Sequence, residues 1–187
     1  QIIATYTDAD KTQMLDVKHI MNEGFKNGNF ETTTIVKYST AAIADDPEIA
    51  GTKDGAITLD EAMRIDQQVI TTSRFDLRGN ALDQTIVRYY FDASEGDMIF
   101  SEAQRVVNSS FDFHDRATSS DIYSYKSSDL TDGAFRLANL TQIQHITYVS
   151  YNEQGNVLEQ IIDTYDPQAD TTGAVTSDLI AKATLLD

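Results

Sequence analysis

The chain has no cysteine, which excludes disulfides and thiolate metal sites and leaves the redox compartment unreadable. It has no run of 18 apolar residues, so no membrane-spanning helix and no membrane insertion are expected. Basic residues are scarce. Fourteen Lys and Arg stand against 30 Asp and Glu, a formal net charge of −16, and such a chain repels phosphate backbones and anionic lipid. Nucleic acid is therefore not an expected partner, and a soluble acidic surface accounts for the charge.

Signatures of chemistry are missing too. There is no GxSxG, no phosphate loop and no dinucleotide fingerprint. The three histidines, His19, His114 and His145, share no HxH or HxxxH spacing, so they do not compose a metal site. "GTKDGAITLDEA", from Gly51 to Ala62, has Gly55, Ile57 and Glu61 where a calcium-binding EF-hand loop wants them. Its first and third ligand positions are Ala50 and Thr52, which supply no carboxylate. A turn is the preferred reading over calcium. The carboxylates of Asp8, Asp10 and Asp16 also fit a solvated turn. No catalytic, cofactor-binding or metal-binding residue is assigned, no cofactor is expected, and the chain is not read as an enzyme.

What is present is self-similarity. "FDLRGNALDQTIVRYYFD" (75–92) and "YNEQGNVLEQIIDTYD" (151–166) share an aromatic, then Gly-Asn, then Leu, Gln, a β-branched residue and Tyr. Anchored on Gly79 and Gly155, the template also fits at Asp10, Gly28 and Asp115. Seven residues beyond the anchors lie Val17, Ile35, Ile86, Ile122 and Ile162; ten beyond lie Ile20, Tyr38, Tyr89, Tyr125 and Tyr165. The flanks are rich in Val, Ile, Thr and Ser, and the anchors suit a positive φ, so each copy reads as a β-hairpin.

The expected fold is all-β, with short helices allowed: an array of five degenerate hairpins centred near 10, 28, 79, 115 and 155, solenoid-like or a stacked sheet, forming one continuous region over 1–187. The β-branched and Tyr columns lie three residues apart. Either they face opposite sides or a bulge intervenes. Ile86, Ile122 and Ile162 are expected to be buried equivalents. Looser linking elements begin at Asp54, Gly96, Asp132 and Thr172 and read as strands in preference to short helices. Residues 39–55, small and acidic, read as an insertion loop, and 173–187 as an incomplete unit. A first residue of Gln1 agrees with a processed product or a segment of a longer protein.

At "YNEQGNVLEQIIDTYD" the sequence resembles the YD-type (Rhs-like) β-hairpin repeats of large bacterial secreted and surface proteins, through its aromatic, Gly-Asn, aliphatic residue and closing Tyr-Asp. The resemblance implies an extracellular or surface-exposed β scaffold. The expected role is structural: a segment of such a protein, or a filament subunit whose partners are adjacent repeats or copies of itself, end to end. The alternative is an adhesin or carbohydrate-binding module using the 39–55 insertion and exposed tyrosines, although a once-per-repeat Tyr is more often a packing ladder.

Overall fold

The computed structural model describes residues 1–8, 13–26, 28–44, 55–131, 134–167 and 184–185. The chain is all-β. Its main body is one open antiparallel sheet in which nine strands follow each other in chain order, with a two-residue tenth added at one end. The strands are β1 (Ile2–Tyr6), β2 (Met14–Lys26), β3 (Asn29–Tyr38), β6 (Arg64–Phe75), β7 (Ala81–Asp92), β8 (Asp97–Phe111), β9 (Ala117–Tyr125), β12 (Leu140–Tyr151), β13 (Val157–Asp166) and β14 (Thr184–Leu185). Two small excursions interrupt the order. One holds β4 (Ala42–Ile43), β5 (Ile57–Thr58) and a 3-10 turn at Glu61–Met63. The other holds β10 (Leu130–Thr131), β11 (Ala134–Phe135) and a 3-10 turn at Leu137–Asn139.

Four hairpins, β2–β3, β6–β7, β8–β9 and β12–β13, turn at the same end of the sheet. Their turns hold Gly28, Gly79, Asp115 and Gly155, all at positive φ (87°, 93°, 63° and 83°). Only Asp115 bears a side chain there, a position Asp tolerates better than most. Three of the loops are built alike. Asp76, Asp112 and Asn152 each accept from the backbone N–H three residues on, those of Gly79, Asp115 and Gly155 (3.2, 3.2 and 3.0 Å). Their side chains accept from the N–H four residues on, at 2.8, 3.0 and 2.8 Å. This is a three-residue loop ending in a bulge at positive φ, and the side-chain acceptor locks it.

The fifth hairpin, expected near 10, is formed by β1 and β2, with Thr7 N–H donating to Gln13 O (2.9 Å), but it turns elsewhere than the other four. The β1–β2 connection lies at the opposite end of the sheet, because β2 pairs with β1 on one edge and β3 on the other. Asp10 itself lies outside the described residues. The counterpart of the other second arms is β1 itself: "IIATY" in β1 matches "IIDTY" in β13. With β1 as a second arm, the columns become Ile3, Ile35, Ile86, Ile122, Ile162 and Tyr6, Tyr38, Tyr89, Tyr125, Tyr165.

Those two columns occupy opposite faces, since the arms that carry them run without a bulge and successive side chains alternate. The tyrosine face is the buried one. Tyr123, Tyr125, Ala103, Leu140 and Ile143 pack with Phe135 and Leu137 of the second excursion. Val17, Val36 and Tyr38 pack with Ala41 and Leu59 at the base of the first. The expectation that Ile86, Ile122 and Ile162 are buried is corrected: Ile86 and Ile122 are half-buried and Ile162 is 45% exposed. The excursions lie over the other face; on the isoleucine face Ile146, opposite Ile162, is nonetheless buried.

The linking elements are also mixed, contrary to the strand reading. At Asp54 and Asp132 a short strand leads into a 3-10 turn, closed by Ser39 N–H donating to Met63 O (2.8 Å) and by Lys126 N–H donating to Asn139 O (2.9 Å). At Gly96 there is no excursion, and β8 runs straight on. The element at Thr172, most of the insertion 39–55 and all of 173–187 except β14 lie outside the described residues.

Candidate functional site

An open sheet has two edges, and here they differ in cover. β13 is paired on its inner side by β12 from Val157 to Tyr165, with a bulge at Leu158. On its outer side, among the described residues, only Tyr165 and Asp166 are paired, by Leu185 and Thr184 of β14. Among the described residues, the stretch from Val157 to Thr164 therefore presents unpaired outward N–H and C=O groups. Beside them lie Val157, Leu158, Ile161 and Ile162, which are 41%, 68%, 54% and 45% exposed. A long, apolar, bare edge is a template for another strand. At the opposite edge β1 covers β2 from Met14 to His19, and Gln1 and Ile20 exchange backbone bonds of 2.8 and 2.7 Å. Beyond Ile20 the outer side of β2 has no strand among the described residues.

The boundaries between hairpins explain what such an edge accepts. Ile3 faces Lys18, Ile35 faces Gln68, Ile86 faces Gln104 and Ile122 faces Gln144. In all four boundaries the register then shifts by one residue just before the tyrosine, which faces Met14, Arg64, Phe100 or Leu140. At β13 the tyrosine, Tyr165, faces Leu185. The incoming arms share an acid or Gln, then Gln or Lys two residues on, then Ile or Val two further. They read Asp16-Lys18-Ile20, Asp66-Gln68-Ile70, Glu102-Gln104-Val106 and Gln142-Gln144-Ile146. The columns anchored on turn residues miss this pattern, as they miss the Asx residue three before the turn; both are visible once the arms are aligned to each other.

Several polar groups of the sheet pair with one another. On the tyrosine face Arg105 donates to both oxygens of the buried Asp83 from Nε (2.9 Å) and Nη2 (2.7 Å). His145 Nδ1 lies 2.6 Å from Asp121 Oδ1, directly across the β9–β12 ladder. That position is a cross-strand pair, and it explains the histidine without catalysis. His19 is on β2 and His114 in the Asp115 turn, so the sheet keeps the three histidines apart. At the turn end Arg78 Nη1 lies 2.8 Å from Asp115, and Asn80 donates to the same carboxylate at 2.9 Å. Arg116 stacks 4.5 Å from the Tyr151 ring centre, and the Tyr151 hydroxyl donates to Ala117 O. The Arg116 side-chain bond to Asp112 holds that carboxyl well down, at about 2. These contacts tie neighbouring turns into a row.

No group of three or more potential metal-ligating side chains occurs among the described residues. Residues 51–54 of the EF-hand-like stretch lie outside them. Beside the first excursion a shallow apolar hollow is lined by Thr40, Ala41, Ala42, Leu59, Asp60 and Met63. The tyrosines do not line an open platform: Tyr38 and Tyr125 are 5% and 3% exposed. Burial raises the Tyr123 hydroxyl to about 12 and Tyr125 further still. The Tyr125 hydroxyl finds no hydrogen-bond partner among the described residues.

No family model matches the chain, and no curated protein does. Among solved structures, a protein of unknown function from Bacteroides fragilis NCTC 9343 aligns over 91% of this chain and 90% of its own, at 9% identity and a TM-score of 0.37.

Proposed function

We propose that the chain is a structural β-repeat segment of a large extracellular or cell-surface protein, or a filament subunit assembling head to tail. Its sheet would be continued at the β13 edge by a neighbour. The observation that carries this reading is the outer side of β13, unpaired among the described residues over eight residues with four exposed aliphatics, on a sheet whose boundaries repeat one register four times. A unit made of a first arm, a turn and a second arm stacks only on its neighbours, so its terminal faces must be capped or continued. The YD-type resemblance supports the extracellular setting, and the acidic surface agrees with it. Burial of Tyr38 and Tyr125 counts against the carbohydrate-platform alternative.

The test is amide hydrogen exchange along β13, comparing the protein assembled as it occurs in its source with the isolated chain. The outward amides between Val157 and Thr164 should exchange slowly in the assembly and fast in isolation. Equal, fast exchange in both settings overturns the scaffold reading.

A further inference from the structure

The repeated boundary register specifies which strand the β13 edge takes. We infer that it binds an antiparallel strand of the pattern [Asp/Glu/Gln]-x-[Gln/Lys]-x-[Ile/Val], with the middle Gln or Lys opposite Ile162 and the Ile or Val opposite Gln160. This inference rests on the scaffold reading above and names the partner by its chemistry.

The argument starts from a difference between two kinds of boundary. Inside a hairpin a short loop sets the register, and the aliphatic column meets an aliphatic residue: Ile20 with Ile35, Ile70 with Ile86, Val106 with Ile122, Ile146 with Ile162. Between hairpins no tight turn sets the register at most joints, since the connections include excursions of unequal length. Side-chain pairing must set it there. At these joints the aliphatic column meets Lys18, Gln68, Gln104 or Gln144. The polar residue two before it, Thr33, Gln84 or Ser120, meets Ile70, Val106 or Ile146. On the isoleucine face each aliphatic side chain thus lies diagonally beside another and directly opposite a long polar one. The methylenes of Gln or Lys cover the isoleucine while the polar end reaches water or a neighbour. The Arg88 guanidinium, for instance, lies 3.4 Å from the Gln104 amide oxygen.

β13 presents the accepting half of this code: Gln160, Ile162, Thr164, Tyr165. Its register with β14 already places Leu185 where Met14, Arg64, Phe100 and Leu140 stand at the other joints. The edge is therefore pre-set for one register. A strand slipped by two residues would set Ile162 against Ile or Val and leave Gln160 opposite an unmatched position.

The absence of cysteine makes the register directly measurable. The chain with Ile161→Cys would be mixed with a synthetic peptide of residues 98–109 carrying Arg105→Cys, Ala103→Cys or Val107→Cys. Position 105 stands opposite Thr85 at the β7–β8 joint, the place equivalent to Ile161. Directly opposed side chains come within disulfide range and those two residues away do not. The 105 peptide should crosslink at least about tenfold more than the 103 or 107 peptides. Gln104→Asp in the 105 peptide should lower its yield about two- to fivefold, the range of one cross-strand pair. A peptide of reversed sequence should give background only. Equal crosslinking at all three positions, equal yield from the reversed peptide, or no crosslinking by any peptide overturns the inference. The last result together with slow β13 exchange in the native assembly would refute this code and leave the scaffold reading standing.

Discussion

Five arms of this sheet each carry an isoleucine and, three residues later, a tyrosine, yet the two columns live in different surroundings. The tyrosine face is roofed by the two excursions and holds the core, with Val17, Ala103 and Ile143 wholly buried. The isoleucine face is not covered by either excursion, and its column mixes half-buried and exposed isoleucines with Gln, Thr and Ser, although Ile146 opposite Ile162 is buried (8% exposed). The same arms build both faces, so the difference does not come from the hairpins. It comes from which side the connections fold over. A single layer can bury one face well only when something outside its strands supplies the second layer. Here Phe135, Leu137 and Leu59 supply it.

The sharpest way to break the comparison is to remove a side chain from each face. Ile143→Ala should cost about 2–5 kcal/mol, the range for a buried aliphatic. Ile162→Ala, at a site 45% exposed, should cost under about 1 kcal/mol. Chemical denaturation of the two variants measures both. Similar losses would mean that the isoleucine face has a cover of its own, which is what the assembled protein would show if a neighbour docks there.

Much of this was legible in the sequence, and the reasons for the rest are physical. The all-β class and the four turns at positive φ follow from Gly and Asp at fixed places between Thr- and Ile-rich arms, whereas the three-residue spacing of the two columns left opposite faces and a bulge equally open. The burial of Tyr instead of Ile was not legible. A half-buried strand has apolar residues on both sides, and the roof is made by residues distant in sequence. The hairpin around residue 10 is formed by β1 and β2, but it turns at the opposite end, so its anchor does not align with the other four. Asp10 imitates a turn anchor, whereas the informative feature is the arm "IIATY" before it. The partner code of the β13 edge was hidden because it links arms across connections of unequal length, where no fixed period shows it.

A second comparison is between ion pairs. On the tyrosine face Asp83 is 6% exposed and takes two bonds from Arg105. On the isoleucine face Arg88 and Glu102 are paired with side chains 38% and 43% exposed. Arg105→Ala leaves the buried carboxylate only the more distant Arg74 Nε, 3.8 Å away, and should cost about 1–3 kcal/mol. Arg88→Ala should cost under about 1 kcal/mol, because water screens the pair and solvates what is left. Urea titrations in low and high salt measure both effects, and only the Arg88 pair should weaken with salt. Equal losses would erase the distinction between the faces.

The smallest expected effect concerns a hydroxyl. Tyr125 is 3% exposed, its ring lies 4.7 Å from that of Phe135, and its hydroxyl has no hydrogen-bond partner among the described residues. The position therefore uses the ring and bears a cost for the oxygen. Tyr125→Phe should leave stability unchanged or raise it by up to about 1 kcal/mol. The direction with pH follows from the same burial. Burial favours the neutral phenol and raises Tyr125, as it raises Tyr123 to about 12. A raised acid binds its proton more tightly in the folded state. The stability this gives is present in full below the ordinary tyrosine value near 10 and is lost as pH climbs from there toward 12 and beyond. Ultraviolet titration of the folded chain should thus show Tyr123 and Tyr125 among the late-ionising tyrosines, together with loss of the sheet signal in circular dichroism. In Tyr125→Phe one late ionisation should vanish, and the alkaline unfolding should move to higher pH. An unchanged titration curve, or a loss of stability at neutral pH, would show that the hydroxyl is engaged by a part of the chain outside the described residues.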